Sequence, residues 1–176
     1  YDNSIIVLTS DHGDSYGEFG RYGHSDFLFP EVIRIPLIIH LPSEMRRGAV
    51  WDPEQIAFSM DVTPTLYYLL GHRPILNNEL LGRPLFTATT AEQQTYARKN
   101  YLLVSSYAPV YGILDKNADS LFIADAVNRR GYFYDFVHDP LGTKNEINPM
   151  RWNEGQKEVE RQILLLDRAY GIRVSN

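Results

Sequence analysis

The chain has 176 residues, 44% of them hydrophobic, which is enough for one domain with a substantial core and a smaller appendage. Its 22 acids against 17 bases give a net charge of −5, and no Lys/Arg cluster exceeds the pairs Arg46-Arg47 and Arg129-Arg130, so nothing prepares a nucleic-acid footprint. The absence of cysteine excludes disulfides and thiolate metal sites, and no apolar run approaches the roughly 20 residues that span a bilayer. The chain opens on Tyr1-Asp2-Asn3 without a starting Met and enters a strand-like run at once, so a piece of a longer protein is expected.

Ile5 to Thr9 is a continuous aliphatic and β-branched run without alternation, the pattern of a strand covered on both faces in a parallel sheet. Pro36 to Leu41 reads the same way. Between them Gly13, Gly17, Gly20 and Gly23 break any helix, so an irregular loop is expected beyond the carboxyl end of the first strand, where open α/β sheets bind ligands.

Thr63-Pro64 is expected to cap and open a helix carrying Leu66, Leu69 and Leu70, closed by Gly71 and covering a sheet face. Leu76 to Thr95 reads as loop, with "LLGRPLF" pinning a connection. In the second half Tyr101–Ser105, Val110–Leu114, Ser120–Ala124 and Gly131–Phe136 are short strands at about ten-residue spacing, the sign of a small antiparallel sheet. Asn153 with Gln156 resembles a capping box before a last helix, whose apolar face is Val159, Ile163, Leu166 and Tyr170 and whose stop is Gly171. The expected organisation is therefore an α/β unit over residues 1–95 and an antiparallel sheet with a terminal helix over 96–176.

The chemistry concentrates at Asp11-His12-Gly13. A turn at Gly13 lets a carboxylate and an imidazole face one cation, and mixed oxygen and nitrogen donors suit a hard or borderline divalent metal. The plainer alternative has Asp11 capping a turn and His12 bonded to backbone. His24, twelve residues on in the same loop, is either a third convergent group or a solvated side chain. Gly13-Asp14-Ser15-Tyr16-Gly17 also fits G-x-S-x-G, with Ser15 as a hydrolase nucleophile, but further glycines stand where the required helix should run. No P-loop or dinucleotide fingerprint is present.

"DNSIIVLTSDHGD", "GEFGRYGH", "EVIRIPLIIHLP", "DVTPTLYYLLG", "GRPLF" and "YFYDFVHDPLGTKNEI", in this order, resemble the carboxyl-terminal half of a sulfatase of the alkaline phosphatase superfamily. The resemblance implies a mainly parallel sheet flanked by helices, followed by the small antiparallel sheet. It implies Asp11 and His12 as ligands of a divalent metal ion, calcium first and manganese or zinc as substitutes, and His24 as the basic residue at the oxygens of a sulfate or phosphate ester.

Glu31 and Arg34 also match and are expected to form a local ion pair; His40 is expected to pack, and His72 and His138 to be surface turn residues. Asp-His stands where many arylsulfatases carry Asp-Asn, so a lipid-headgroup phosphotransferase or a phosphodiesterase is the alternative activity. The nucleophile motif C/S-x-P-x-R does not occur here, so these residues alone are expected to be an inert module of an enzyme. Relatives that work outside the cytoplasm imply a periplasmic or extracellular location. The oligomeric state has no signature in the sequence.

Overall fold

The computed structural model describes residues 1–72, 82–96 and 100–171. In chain order these build β1 (Ile6–Thr9), β2 (Ser15–Tyr16), β3 (Tyr22–Gly23), the single turn α1 (Pro30–Ile33), β4 (Leu37–His40), α2 (Ser43–Arg47), α3 (Val62–Leu69) and α4 (Thr90–Thr95). The strands β5 (Tyr101–Val104), β6 (Val110–Leu114), β7 (Ser120–Asp125) and β8 (Arg130–Asp135) follow, and α5 (Pro149–Tyr170) closes the chain. Two compact units result: Tyr1–Asp11 with Pro36–Arg98, and His12–Ile35 with Lys99–Asn176.

In the first unit β1 and β4 pair antiparallel, Ile6 opposite His40 and Thr9 opposite Leu37. No parallel pair occurs among the described residues. An unbroken apolar run reports that both faces want cover, not which way the neighbouring strand points, and so cannot fix direction. That cover is missing from the described residues, since Ile6, Leu8 and Ile38 are exposed. His40 packs its ring on Tyr1, centroids 3.9 Å apart, and its Nε2 bonds the Tyr1 carbonyl.

Helix α3 opens at Val62, not at the expected Thr63 cap. The residue before it, Asp61, is wholly buried and gives its carboxylate to the amides of Phe58 and Arg83, both at 2.9 Å. Thr65 Oγ1 donates to the Asp61 carbonyl and accepts from Leu85 N, while Tyr68 Oη accepts from Ala88 N. Gly82–Leu85 is thus pinned to the helix, as "GRPLF" suggested; Leu80 and Leu81 lie outside the described residues. Where a continuous loop was expected, Thr89 accepts from Glu92 N at 3.1 Å and caps α4.

The second unit carries the larger core. β5 to β8 form an antiparallel meander in sequence order, close to the bounds expected. Register places Ile113 opposite Phe122, and this face packs Phe122, Ile113 and Val159 with Trp152, Phe133 and Ile163 beneath α5. Helix α5 starts at Pro149, not at the Asn153/Gln156 box, because Asn148 Oδ1 accepts from Arg151 N at 3.0 Å and Pro149 suits the first helical position. Gly171, at φ 64°, stops it in the left-handed conformation, as expected.

Glu158 accepts from Arg161, Gln162 and Asn100, and these donors, Arg161 first, hold its carboxyl down at about 2. The bonds to Asn100 join the helix to the strand entrance. Gly155 of α5 lies so close to Phe122 that a Cβ there would enter the ring. Gly155→Ala is expected to lose about 1–2 kcal/mol, overpacking outweighing the better helix propensity of alanine. Urea unfolding measures this, and equal or higher stability would contradict the packing account.

The opposite sheet face carries Leu121, Ile123, Tyr132 and Tyr134, paired across β7 and β8. Phe29 meets Tyr132 and Tyr134 edge-on at 5.1 and 6.2 Å, and Leu28 lies against Gly112. Burial here pushes the Tyr134 hydroxyl up to about 12. The glycine-rich segment is thereby rooted on the antiparallel sheet of the second half. No helix among the described residues is long and apolar enough to cross a membrane.

Candidate functional site

The first strand delivers Asp11 at its carboxyl end, exposed, with Ser10 Oγ donating to its Oδ1 at 3.4 Å. His12 follows directly and begins the second unit. Gly13 N donates to the Val32 carbonyl at 2.7 Å, and a Cβ on Gly13 would run into the Glu31 carbonyl, so only glycine lets the chain turn this tightly against α1.

His12 Nδ1 lies 2.9 Å from the Gly13 carbonyl oxygen. A carbonyl only accepts, so Nδ1 carries the proton, and in the neutral ring the lone pair sits on Nε2. The His12 and His24 rings stack with centroids 3.7 Å apart and planes 21° from parallel. His24 Nδ1 stands 3.3 Å from Asp14 Oδ1, a long bond in which the carboxylate is again the acceptor. His12, His24 and Asp14 are therefore one assembly within the second unit, and Asp11 is the chain neighbour of His12. Among the described residues no group of three or more His, Asp or Glu side chains stands ready to hold a metal ion.

Asp14 escaped the sequence reading; its signal was its place at the other end of a hairpin from His24. β2 and β3 pair Ser15 with Gly23 and Tyr16 with Tyr22, which brings residues 14 and 24 to the open end of that ladder. Ser15 is 2% exposed and its Oγ donates to Glu31 Oε1 at 3.1 Å. It sits in a strand and not on a strand-to-helix elbow, so the serine-nucleophile alternative fails on burial and on backbone.

The expected Glu31–Arg34 pair is not formed. Arg21 takes Glu31, with Nη2 at 2.6 Å and Nε at 2.9 Å, and lays its guanidinium 3.7 Å from the Phe29 ring centroid. Arg34 instead covers Phe136 at 4.6 Å. His138 is exposed and bonds Asp135, whose carboxyl it holds below the usual range. His72 tilts against Tyr67.

The family model described as Sulfatase matches residues 1–72. An N-acetylglucosamine-6-O-sulfatase of Bacteroides thetaiotaomicron is 27% identical over 169 residues, covering 90% of this chain and 29% of that protein. A multifunctional alkaline phosphatase superfamily protein, PehA, of Trinickia caryophylli is 34% identical over 74 residues, 40% of this chain and 13% of its own length. A solved structure of a complex with its substrate D-glucosamine-2-N,6-O-disulfate superposes with a TM-score of 0.64 at 25% identity, covering 98% of this chain and 36% of that one. The chain thus spans about a third or less of the proteins it matches. Its first 72 residues match the sulfatase family model, and nearly its whole length is similar to sulfatases.

Proposed function

We propose that this chain supplies part of the active site of a metal-dependent sulfatase that removes sulfate from sulfated saccharides, hexosamine sulfates foremost. The observation that carries the reading is the His12–His24–Asp14 assembly, directly after Asp11, in the segment that matches the sulfatase model. The substrate class is taken from two relatives, one named as an N-acetylglucosamine-6-O-sulfatase and one bound to a sulfated glucosamine.

Asp11 and His12 are the residues that would hold a divalent cation, calcium, manganese or zinc. Their donor chemistry fits: a carboxylate oxygen, and an imidazole whose Nδ1–H is fixed on the Gly13 carbonyl so that Nε2 carries the lone pair. Two donors do not make a full site, and in this reading the remaining ligands and the nucleophile belong to residues other than these 176. Such a cation, when bound, offsets negative charge on the ester oxygens.

His24 works from its own geometry. Asp14 accepts at Nδ1, which leaves Nε2 as the nitrogen for the ester. In its protonated form that Nε2–H donates to a sulfuryl oxygen or hands its proton to the departing alcohol oxygen. The imidazole stack with His12 fixes the ring plane. Family relatives outside the cytoplasm make the periplasm or the extracellular space the proposed location.

The test is sulfate release from D-glucosamine 6-sulfate by the full-length protein, followed by ion chromatography. Release is expected, with loss on treatment with a chelator and recovery on adding calcium, manganese or zinc. Release indifferent to the chelator would reject the metal assignment. A second reading, phosphodiester hydrolysis or phosphoryl transfer, is favoured by the match to a protein named as multifunctional in this superfamily. Phosphate diesters cleaved in place of sulfate esters would establish it.

A further inference from the structure

We propose that the hairpin formed by β2 and β3 is a saccharide-stacking subsite, with Tyr16 and Tyr22 as the platform for the pyranose ring that carries the ester. The inference rests on the saccharide-sulfate reading above. Tyr16 and Tyr22 are directly opposite in the ladder, so their side chains rise on one face of the hairpin. They are 80% and 75% exposed, and Phe19 at the tip is also exposed. Rings left in water on strands of two residues each contribute nothing to the core of this unit.

The other face is built to hold the hairpin still. Ser15, between Asp14 and Tyr16, turns inward to Glu31, and the same Glu31 oxygen takes Arg21 from the returning side. Arg21 also reaches over the Phe19 ring at 4.8 Å. A rigid base with aromatic residues on the open side loses little conformational freedom when it binds.

Chain proximity then connects platform and site. Asp14, the residue that bonds His24, immediately precedes β2 and lies two positions from Tyr16. Two residues of chain reach at most about 7 Å, the scale on which a sugar ring and an ester on its exocyclic carbon are separated. A pyranose offers a C–H face to an aromatic ring and hydroxyls at its rim, and tyrosine matches it with an apolar body and a polar tip. The geometry therefore seats the ring on Tyr16 and Tyr22 while the ester meets His24.

Saturation-transfer NMR on the full-length protein tests this, with D-glucosamine 6-sulfate and unsulfated N-acetylglucosamine as probes. Transfer to the ring C–H protons is expected in the wild type, with Kd raised about tenfold in Y16A/Y22A and restored in Y16F/Y22F, which keeps the ring faces. Both positions are exposed, so the variants should fold, and circular dichroism checks that they do. A Kd in Y16A/Y22A within twofold of wild type, or no ring transfer in the wild type, overturns the subsite. Sulfate release without tyrosine-dependent ring binding sinks the subsite and spares the sulfatase reading. Tyrosine-dependent ring binding without sulfate release does the reverse.

Discussion

Asp11→Ala in the full-length protein is expected to lower kcat/KM for sulfate-ester cleavage by more than ~10⁴-fold, beyond the range of a single acid–base group. The reason lies in what the residue would hold. A carboxylate at the end of β1 is the hard oxygen donor of the pair, and its removal leaves His12 alone to retain a cation that the reading requires at the ester.

Asp11 is exposed, and Ser10 Oγ donates to its carboxylate at 3.4 Å. Thermal melting read beside activity separates loss of the site from loss of the fold. Asp11→Asn separates charge from shape: it keeps the oxygen, loses the negative charge and should retain metal only weakly. Steady-state kinetics with metal content by mass spectrometry measure both. Activity within tenfold of wild type in Asp11→Ala, with metal still bound, would remove Asp11 from the site.

The sequence made the second-half sheet legible because its strands alternate between turn residues, and each turn signal sits beside the strand it ends. The bounds of β6, β7 and β8 fall within a residue of the expectation. The terminal helix was legible in its stop and its apolar face but not in its start: the box was expected at Asn153 with Gln156, and Asn148-Pro149 caps and opens the helix instead. Direction was not legible at β1 and β4. Apolar character is a statement about burial, and antiparallel pairing leaves the same residues in the run.

At the site, Asp11, His12 and His24 were legible as residue types in one glycine-rich stretch, but their partners were not. Glu31 has Arg34 three residues ahead and Arg21 ten residues behind, and the match to the family pattern suggested a local pair with the former. The structure chose the latter because the β2–β3 hairpin folds Arg21 back over Phe29. Asp14 was hidden for the same reason: its contact with His24 exists only once the chain has reversed between them. Nor did the glycines reveal that Leu28 and Phe29 would root the loop on strands some hundred residues later.

His24 and Asp14 are separable by a cycle of substitutions. His24→Ala should lower kcat by ~10²–10⁴-fold, the worth of a positioned proton donor. Alanine also removes the ring stacked on His12 at 3.7 Å, so part of that loss would come from displacing His12, the proposed metal donor. His24→Phe keeps a flat ring for the stack and deletes both nitrogens, and its loss is therefore the cost of the nitrogens themselves.

Asp14→Asn should cost less, ~10–100-fold, because Asp14 touches only the Nδ1 edge and acts through His24. If it does, Asp14→Asn introduced into the His24→Phe protein should cost nothing further, since the group it orients is gone. A His24→Phe enzyme with wild-type kcat would end the proton-donor role. An Asp14→Asn penalty undiminished in the His24→Phe background would show that Asp14 serves another group, and the imidazole's orientation would then rest on the His12 stack alone.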